Sequence, residues 1–250
     1  MRFLSFVLIP FVLFTGCDSS NGGGDDGDLV IQDISVGTGD LVGNGITVIV
    51  SYVGTLEDGT VFDSSELRGK NLIFTPGANN VILGLDQGVP GMRVGGSRRI
   101  EIPSRMAFGR NGFCVSDNDC PVPSNADVIF EVTLEDILDF VLIKDLIVGT
   151  GEEVVNGDRV RIQYAVGLQN GVIVDSSVDG SFLEFTIGTE FIIPGLHDGV
   201  DGMRVEGVRS LTVPPVLAYG EFGDTSGTIP PYAVLLFRVE LLEKVVNDGS

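Results

Sequence analysis

The stretch LEDGTVFDSS, residues 56–65, decides how this chain is read. Its Asp58-Gly59 pair is a hairpin-turn dipeptide, because such turns need positive φ angles that glycine adopts without strain. The β-branched, apolar runs on either side, Thr47–Val53 and Thr60–Phe62, are the strands the turn would join. The stretch ends on an aromatic and a carboxylate, Phe62-Asp63. A second copy, LQNGVIVDSS, occupies residues 168–177, and Gly59/Gly171, Asp63/Asp175 and Gly37/Gly149 are each 112 positions apart. The chain is two copies of one unit.

Working outward, Asn71–Thr75, Arg98–Ile102 and Val128–Leu134 read as further short strands of unit one. Val81, Ile82, Leu85 and Val89 recur at helical spacing, with Gly84 and Pro90 limiting the helix to a turn or two. Many short strands around one short helix predict an α+β domain with an antiparallel sheet. The offset between copies is 111 at Gly77/Gly188, Met92/Met203 and Phe108/Tyr219, but 107 at Ala126/Ala233 and Phe130/Phe237. Unit one therefore carries four extra residues between Gly109 and Ala126, a segment that holds Cys114 and Cys120. The expected division is a signal peptide 1–16, a tether 17–28, unit one 29–138 and unit two 139–250, with a short apolar connector that favours a fixed arrangement of the two.

A length of 250 residues suits two ordinary domains, and 43% hydrophobic residues with 15 Phe suffice for two cores. The formal charge of -20 repels phosphate backbones, so nucleic acid is not an expected partner. It also disfavours a polybasic contact with lipid headgroups, so a membrane contact has to come from elsewhere.

Met1-Arg2 precedes an apolar run, Phe3–Phe14, that is too short to span a bilayer but suits a signal peptide. It ends in Leu13-Phe14-Thr15-Gly16-Cys17, which resembles the lipobox of bacterial lipoproteins, with Phe14 where a smaller aliphatic residue is usual. An ordinary secretory signal with a chance cysteine is the alternative. Under the lipoprotein reading Cys17 is the lipidation site and the membrane contact, and residues 19–28, SSNGGGDDGD, are a flexible tether. Three cysteines then leave Cys114 and Cys120 as an even pair in an exported chain. A disulfide is expected there, against free thiols or a metal pair for which further ligands are lacking.

The lone histidine, His197, has Asp86 as its counterpart, so no His-dependent triad can operate in both units. There is no phosphate-binding glycine loop before a helix. Asp117-Asn118-Asp119 lacks the glycine and distal glutamate of a calcium loop. No cofactor or metal is expected.

What repeats is an apolar cup. Its members in unit one are Tyr52, Phe62, Asp63, Val81, Ile82, Leu85, Phe108, Val122 and Phe130. In unit two they are Tyr164, Val174, Asp175, Ile192, Ile193, Leu196, Tyr219, Ile229 and Phe237. Any one of these aromatics taken alone is more simply a core residue. The ordered runs YVGTLEDGTVFDSS, VILGLDQGVPGMRVGG and PSNADVIFEVTL, with LAYG and IPPYAVLLFRVELL in unit two, carry more weight as a set.

This ordered set resembles the FKBP-type peptidyl-prolyl isomerases, twice over, from Leu29 to Lys244. The resemblance implies a sheet wrapped across one short helix, with the active site between them. It implies isomerisation of X-Pro bonds in proline-containing polypeptides. The reacting groups would be Tyr52, Phe62, Asp63, Phe108 and Phe130 in unit one and Tyr164, Asp175, Tyr219 and Phe237 in unit two. Val81, Ile82, Leu85, Val122, Val174, Ile192, Ile193, Leu196 and Ile229 would bind the substrate.

Asp63 and Asp175 could cap local amides, hold a tyrosine hydroxyl, or both. The copies depart from the pattern differently: Phe108 stands where unit two has Tyr219, and Val174 where unit one has Phe62. The expected molecule is a monomeric, lipid-anchored isomerase on the extracytoplasmic side of a bacterial envelope. Its rivals are a non-catalytic module holding proline-containing segments and a structural spacer.

Overall fold

Two long strand pairs carry the architecture. The computed structural model describes residues 27–116, 119–177, 181–189 and 192–245. The expected signal peptide, Cys17, nearly all of the tether, and Asp117 and Asn118 lie outside these. In unit one β2 (Val48–Leu56) lies beside β6 (Val128–Ile137), and in unit two β8 (Arg159–Leu168) lies beside β12 (Leu235–Lys244). Period-two alternation puts Val128, Phe130, Val132 and Leu134 of β6 inside, with Glu131 and Glu135 outside. Leu235, Phe237, Val239 and Leu241 do the same in β12.

The remaining strands complete two antiparallel sheets of the same plan. The first adds β1 (Val30–Ser35), β3 (Val61–Ser64), β4 (Leu72–Phe74) and β5 (Ser97–Ile102), in the order β1-β5-β6-β2-β3 with β4 also on β2. The second adds β7 (Leu142–Ile147), β9 (Ile173–Ser176), β10 (Leu183–Thr186) and β11 (Val208–Val213), in the order β10-β8-β12-β11-β7 with β9 also on β8. β2 serves two partners along one edge: Val48–Val50 pair with β4 and Val53–Thr55 with β3.

One short helix crosses each sheet, α2 (Leu83–Gly88) in unit one and α3 (Pro194–Val200) in unit two; a single turn, α1 (Ser65–Arg68), follows β3. The helix has the one to two turns that Gly84 and Pro90 implied, and Gly84 and Gly88 lie inside it, on the face that meets β5. A Cβ on Gly84 would stand 2.2 Å from Ile102 Cγ2, and one on Gly88 would stand 2.7 Å from Ile100 Cδ1. Gly195 and Gly199 meet Val213 and Leu211 in the same way. These glycines let the helix backbone sit on the sheet, which keeps Leu85 and Leu196 buried beneath the cup.

Two polar contacts then fix the helix. Buried Arg98 donates from Nη1 to the carbonyls of Gly88 and Pro90, while its Nε bonds Asp33 at 2.6 Å. Arg209 repeats this with Gly199, Asp201 and Asp145. The cation satisfies carbonyls that a helix end leaves unpaired and favours the negative end of the dipole. On the opposite side, Asp86 accepts from the Gly77 amide at 3.0 Å, and in unit two the Nδ1 of His197 accepts from the Gly188 amide at 2.9 Å. The Asp86/His197 exchange therefore preserves an acceptor.

Between the sheets, Leu138 is buried and its amide donates to Thr47, while Val141 belongs to the core of unit two. Gln169, in the β8–β9 turn, donates to the Ile73 carbonyl and accepts from Asn80 of unit one.

Candidate active site

The stretch that opened the sequence reading builds one wall of the site in unit one. The Asp63-Ser64-Ser65 run makes four local bonds. Ser64 Oγ caps α1 by accepting from the Leu67 amide at 3.1 Å, and Ser65 Oγ accepts from the Tyr52 amide at 3.1 Å. Asp63 accepts the Tyr52 hydroxyl at 2.9 Å and also the Ser64 amide at 3.0 Å. The capping role and the tyrosine-holding role thus coexist. Burial, then the hydrogen bond and charge of Asp63, push the Tyr52 phenol up to about 12, so it is a firm donor at neutral pH.

A cavity of about 290 Å³ opens between this wall and the helix. Tyr52, Asp63, Val81, Ile82, Leu85, Phe108 and Phe130 line it, seven of the nine residues expected for unit one. Phe62 stands edge-on to both Phe108 and Phe130, with ring centroids 5.8 and 5.6 Å away, and so supports the wall without lining the cavity. Val122 is fully buried and its backbone pairs with Phe113, which places it in the core instead.

Sequence reasoning missed Arg68, Lys70, Asn71 and Leu72, which also line the cavity. Arg68 reaches both oxygens of Asp63, from Nε at 2.8 Å and Nη2 at 3.1 Å. One helical turn, stopped by Gly69 in the left-handed conformation, brings it back to the carboxylate five residues earlier.

Unit two holds its equivalents differently. Tyr164 donates to Asp175 at 2.6 Å, and Ser177 Oγ accepts from the Tyr164 amide at 2.8 Å, so the wall is rebuilt. Burial first, then Asp175, raises the Tyr164 phenol. Leu196, Ile229 and Phe237 are buried, while Val174, Ile192 and Ile193 are half-buried and pack on the same core. Tyr219 is 41% exposed, and its phenol is raised by burial, then by Asp224 and Asp175. Among the described residues Asp175 has no cationic partner.

The aromatic wall also depends on a second position. In unit one Gly54 pairs with Asp63, and a Cβ on Gly54 would meet the Phe62 ring at 2.8 Å. In unit two the residue paired with Asp175 is Val166. The larger ring with glycine and the smaller valine with valine are thus coupled choices.

The loops beside the two sites differ as their lengths require. Cys114 and Cys120 form a disulfide, and Phe113 packs its ring 5.4 Å from that of Phe108. The shorter loop of unit two is held by Asp224, which accepts from the Ile229 amide at 2.6 Å.

A model of the family of FKBP-type peptidyl-prolyl cis-trans isomerases matches residues 39–135 and again 150–242. The chain belongs to that family. The mouse protein named peptidyl-prolyl cis-trans isomerase FKBP10 is 37% identical over 209 residues, covering 81% of this chain and 35% of its own length. Human FKBP9 is 35% identical over 198 residues, covering 77% of this chain and 34% of its own. The chain thus spans about a third of the length of these relatives. The crystal structure of the three FKBP domains of wheat FKBP73 is 26% identical and covers 87% of this chain and 94% of its own, with a TM-score of 0.40. Membership of the FKBP family accounts for both sheets, since each family match falls within one of them.

Proposed function

We propose that both units catalyse cis-trans isomerisation of X-Pro bonds and that the chain assists the folding of exported proteins. The observation that carries this reading is the mostly apolar cavity of unit one, with aromatic walls, an aliphatic floor at Leu85 and a polar side made by Tyr52, Asp63, Arg68, Lys70 and Asn71. An X-Pro bond prefers trans by only about 0.5–1 kcal/mol but crosses a barrier of about 18–20 kcal/mol. At the barrier the amide is twisted and has lost its resonance, so it is less polar than the planar form. An apolar pocket disfavours the planar amide more than the twisted one, which is differential stabilisation of the transition state. Phe108, Phe130 and Leu85 would hold the proline ring, while Tyr52 and Asp63 form the polar corner where the preceding carbonyl turns. Tyr164, Asp175, Tyr219 and Phe237 would do this in unit two. The reaction makes and breaks no covalent bond and draws on no cofactor.

The same reading takes Cys17 as a lipid anchor, residues 17–28 as its tether, 29–138 and 139–250 as the two units, and the protein as a monomer outside the bacterial cytoplasm. The signal-like N-terminus and the Cys114–Cys120 pair support that side of the membrane. A second reading, a module that binds prolines without turning them over, is favoured in unit two by the loss of the aromatic at Val174. Exchange spectroscopy on a Leu-Pro peptide separates the two. An isomerase gives cis-trans exchange peaks at substoichiometric protein. Shifted resonances without exchange would contradict catalysis and leave binding.

A further inference from the structure

The two candidate sites carry different charge around their aspartates. In unit one Arg68 chelates Asp63, and that pair is neutral in sum. The other charged residue lining the cavity is Lys70, which is exposed and forms no ion pair with any described residue. The mouth of unit one is therefore net positive, in a chain whose formal charge is -20.

Unit two has lost both cations. Counting back from Gly188, Leu183 stands for Leu72, Phe182 for Asn71 and Ser181 for Lys70. The pairing of Leu183 with Ile162, against Leu72 with Val50, fixes that register. The residue missing between Asp175 and Gly188 falls in the segment equivalent to 66–71, and residues 176–182, SSVDGSF, contain no lysine or arginine. Asp175 thus meets no lysine or arginine from this segment, and Asp224, with Asp175, raises the Tyr219 phenol beyond the effect of burial. Arg161 stacks on Phe182, the counterpart of Asn71, but is held by Glu184 and Glu243.

We infer that the two sites sort prolines by the charge of the residues beside them, unit one taking acidic neighbours and unit two basic ones. This rests on the proposed function, a prolyl site in each unit. At physiological salt, screening over about 8 Å mutes the distant charges of the acidic body, so the charges at each site decide what a neighbouring side chain meets. Each exposed rim charge is expected to change preference by about two- to fivefold.

The test compares Glu-Pro, Leu-Pro and Lys-Pro peptides of one frame in two backgrounds. Asp175→Leu leaves unit one to be read, and Asp63→Leu leaves unit two. The expected kcat/KM ratio of Glu-Pro to Lys-Pro is above one for unit one and below one for unit two, and 1 M NaCl brings both towards one. Lys70→Glu, made in the otherwise unaltered chain so that neither aspartate is disturbed, lowers the ratio several-fold. Equal ratios in the two backgrounds, or a ratio indifferent to Lys70→Glu and to salt, overturn the inference. Fluorescence anisotropy of the same peptides gives the same ratio as affinities. If no peptide is turned over, the isomerase reading fails, while charge-ranked affinities still uphold sorting and equal affinities still overturn it.

Discussion

Unit one and unit two share a backbone plan but furnish their candidate sites with different side chains. Unit one has a phenylalanine wall, Phe62 on Phe108 and Phe130, made possible by Gly54, together with an arginine-held aspartate and a disulfide-closed loop. Unit two has valines at both wall positions, an aspartate with no cationic partner among the described residues, and a half-exposed tyrosine, Tyr219. What both keep is the Asp–Tyr hydrogen bond, the glycine-faced helix and the buried arginine that caps it. The comparison teaches that the frame of the cup is fixed by a few polar and steric contacts, while the wall and the rim are free to diverge.

The strongest way to break this comparison is to force one wall into the other unit. Val174→Phe alone places a ring against Val166 and is expected to destabilise unit two by about 1–3 kcal/mol through overpacking. Adding Val166→Gly should recover most of that loss, which chemical denaturation of the single and double variants will show as a favourable coupling. Additive losses would mean that Gly54 and Phe62 are not a matched pair.

Opening the loop is the next largest effect. Replacing Cys114 and Cys120 by serine removes a short closed loop, for about 2 kcal/mol, and loosens Phe113 against Phe108. Activity assigned to unit one should fall while that of unit two holds, as assayed on variants with one site disabled. An equal fall in both would show that the loop supports the whole chain.

Phe108→Tyr sharpens the comparison more gently, by returning the hydroxyl that Tyr219 carries. A new hydrogen bond to a substrate carbonyl, at about 0.5–1.5 kcal/mol, should raise kcat/KM of unit one roughly two- to tenfold.

The smallest effect is confined to alkaline pH. Because the Tyr52 phenol titrates at about 12 in the folded chain against 10.0 for the free side chain, the folded state holds a proton that the unfolded state loses. Its contribution to stability is complete below pH 10 and disappears as pH rises towards 12. Ultraviolet titration of a variant retaining Tyr52 as its one tyrosine checks this. Asp63→Asn should lower the midpoint only in part, since burial is the larger cause.

Much of this was legible in the sequence. The constant offset of Gly59/Gly171 and Asp63/Asp175 revealed the repeat, and alternation in Val128–Leu134 gave a central strand. β1 left no such signal, because all six of its residues are exposed and only its pairing with β5 makes it a strand. Arg68 was invisible for a related reason: α1 is four residues long, too short for periodicity, and its arginine matters through a carboxylate it meets only after the turn. Gly84 pointed to a short helix because a lone glycine lowers helix propensity, but the contact with Ile102 that makes a glycine necessary there could not be read from the sequence. The coupling of Gly54 with Phe62 needs the cross-strand register, which one sequence alone does not supply.

The most direct test of the central claim, two separate prolyl sites each organised by its aspartate, is isomerisation of a Leu-Pro peptide by the parent, Asp63→Leu, Asp175→Leu and the double variant. Losing an aspartate removes a charged hydrogen-bond partner and is expected to cost that site about 10- to 100-fold in kcat/KM. The account predicts that each single variant keeps the other site's share and that the double variant approaches the uncatalysed rate. A double variant as active as the parent, with its fold intact, would contradict it.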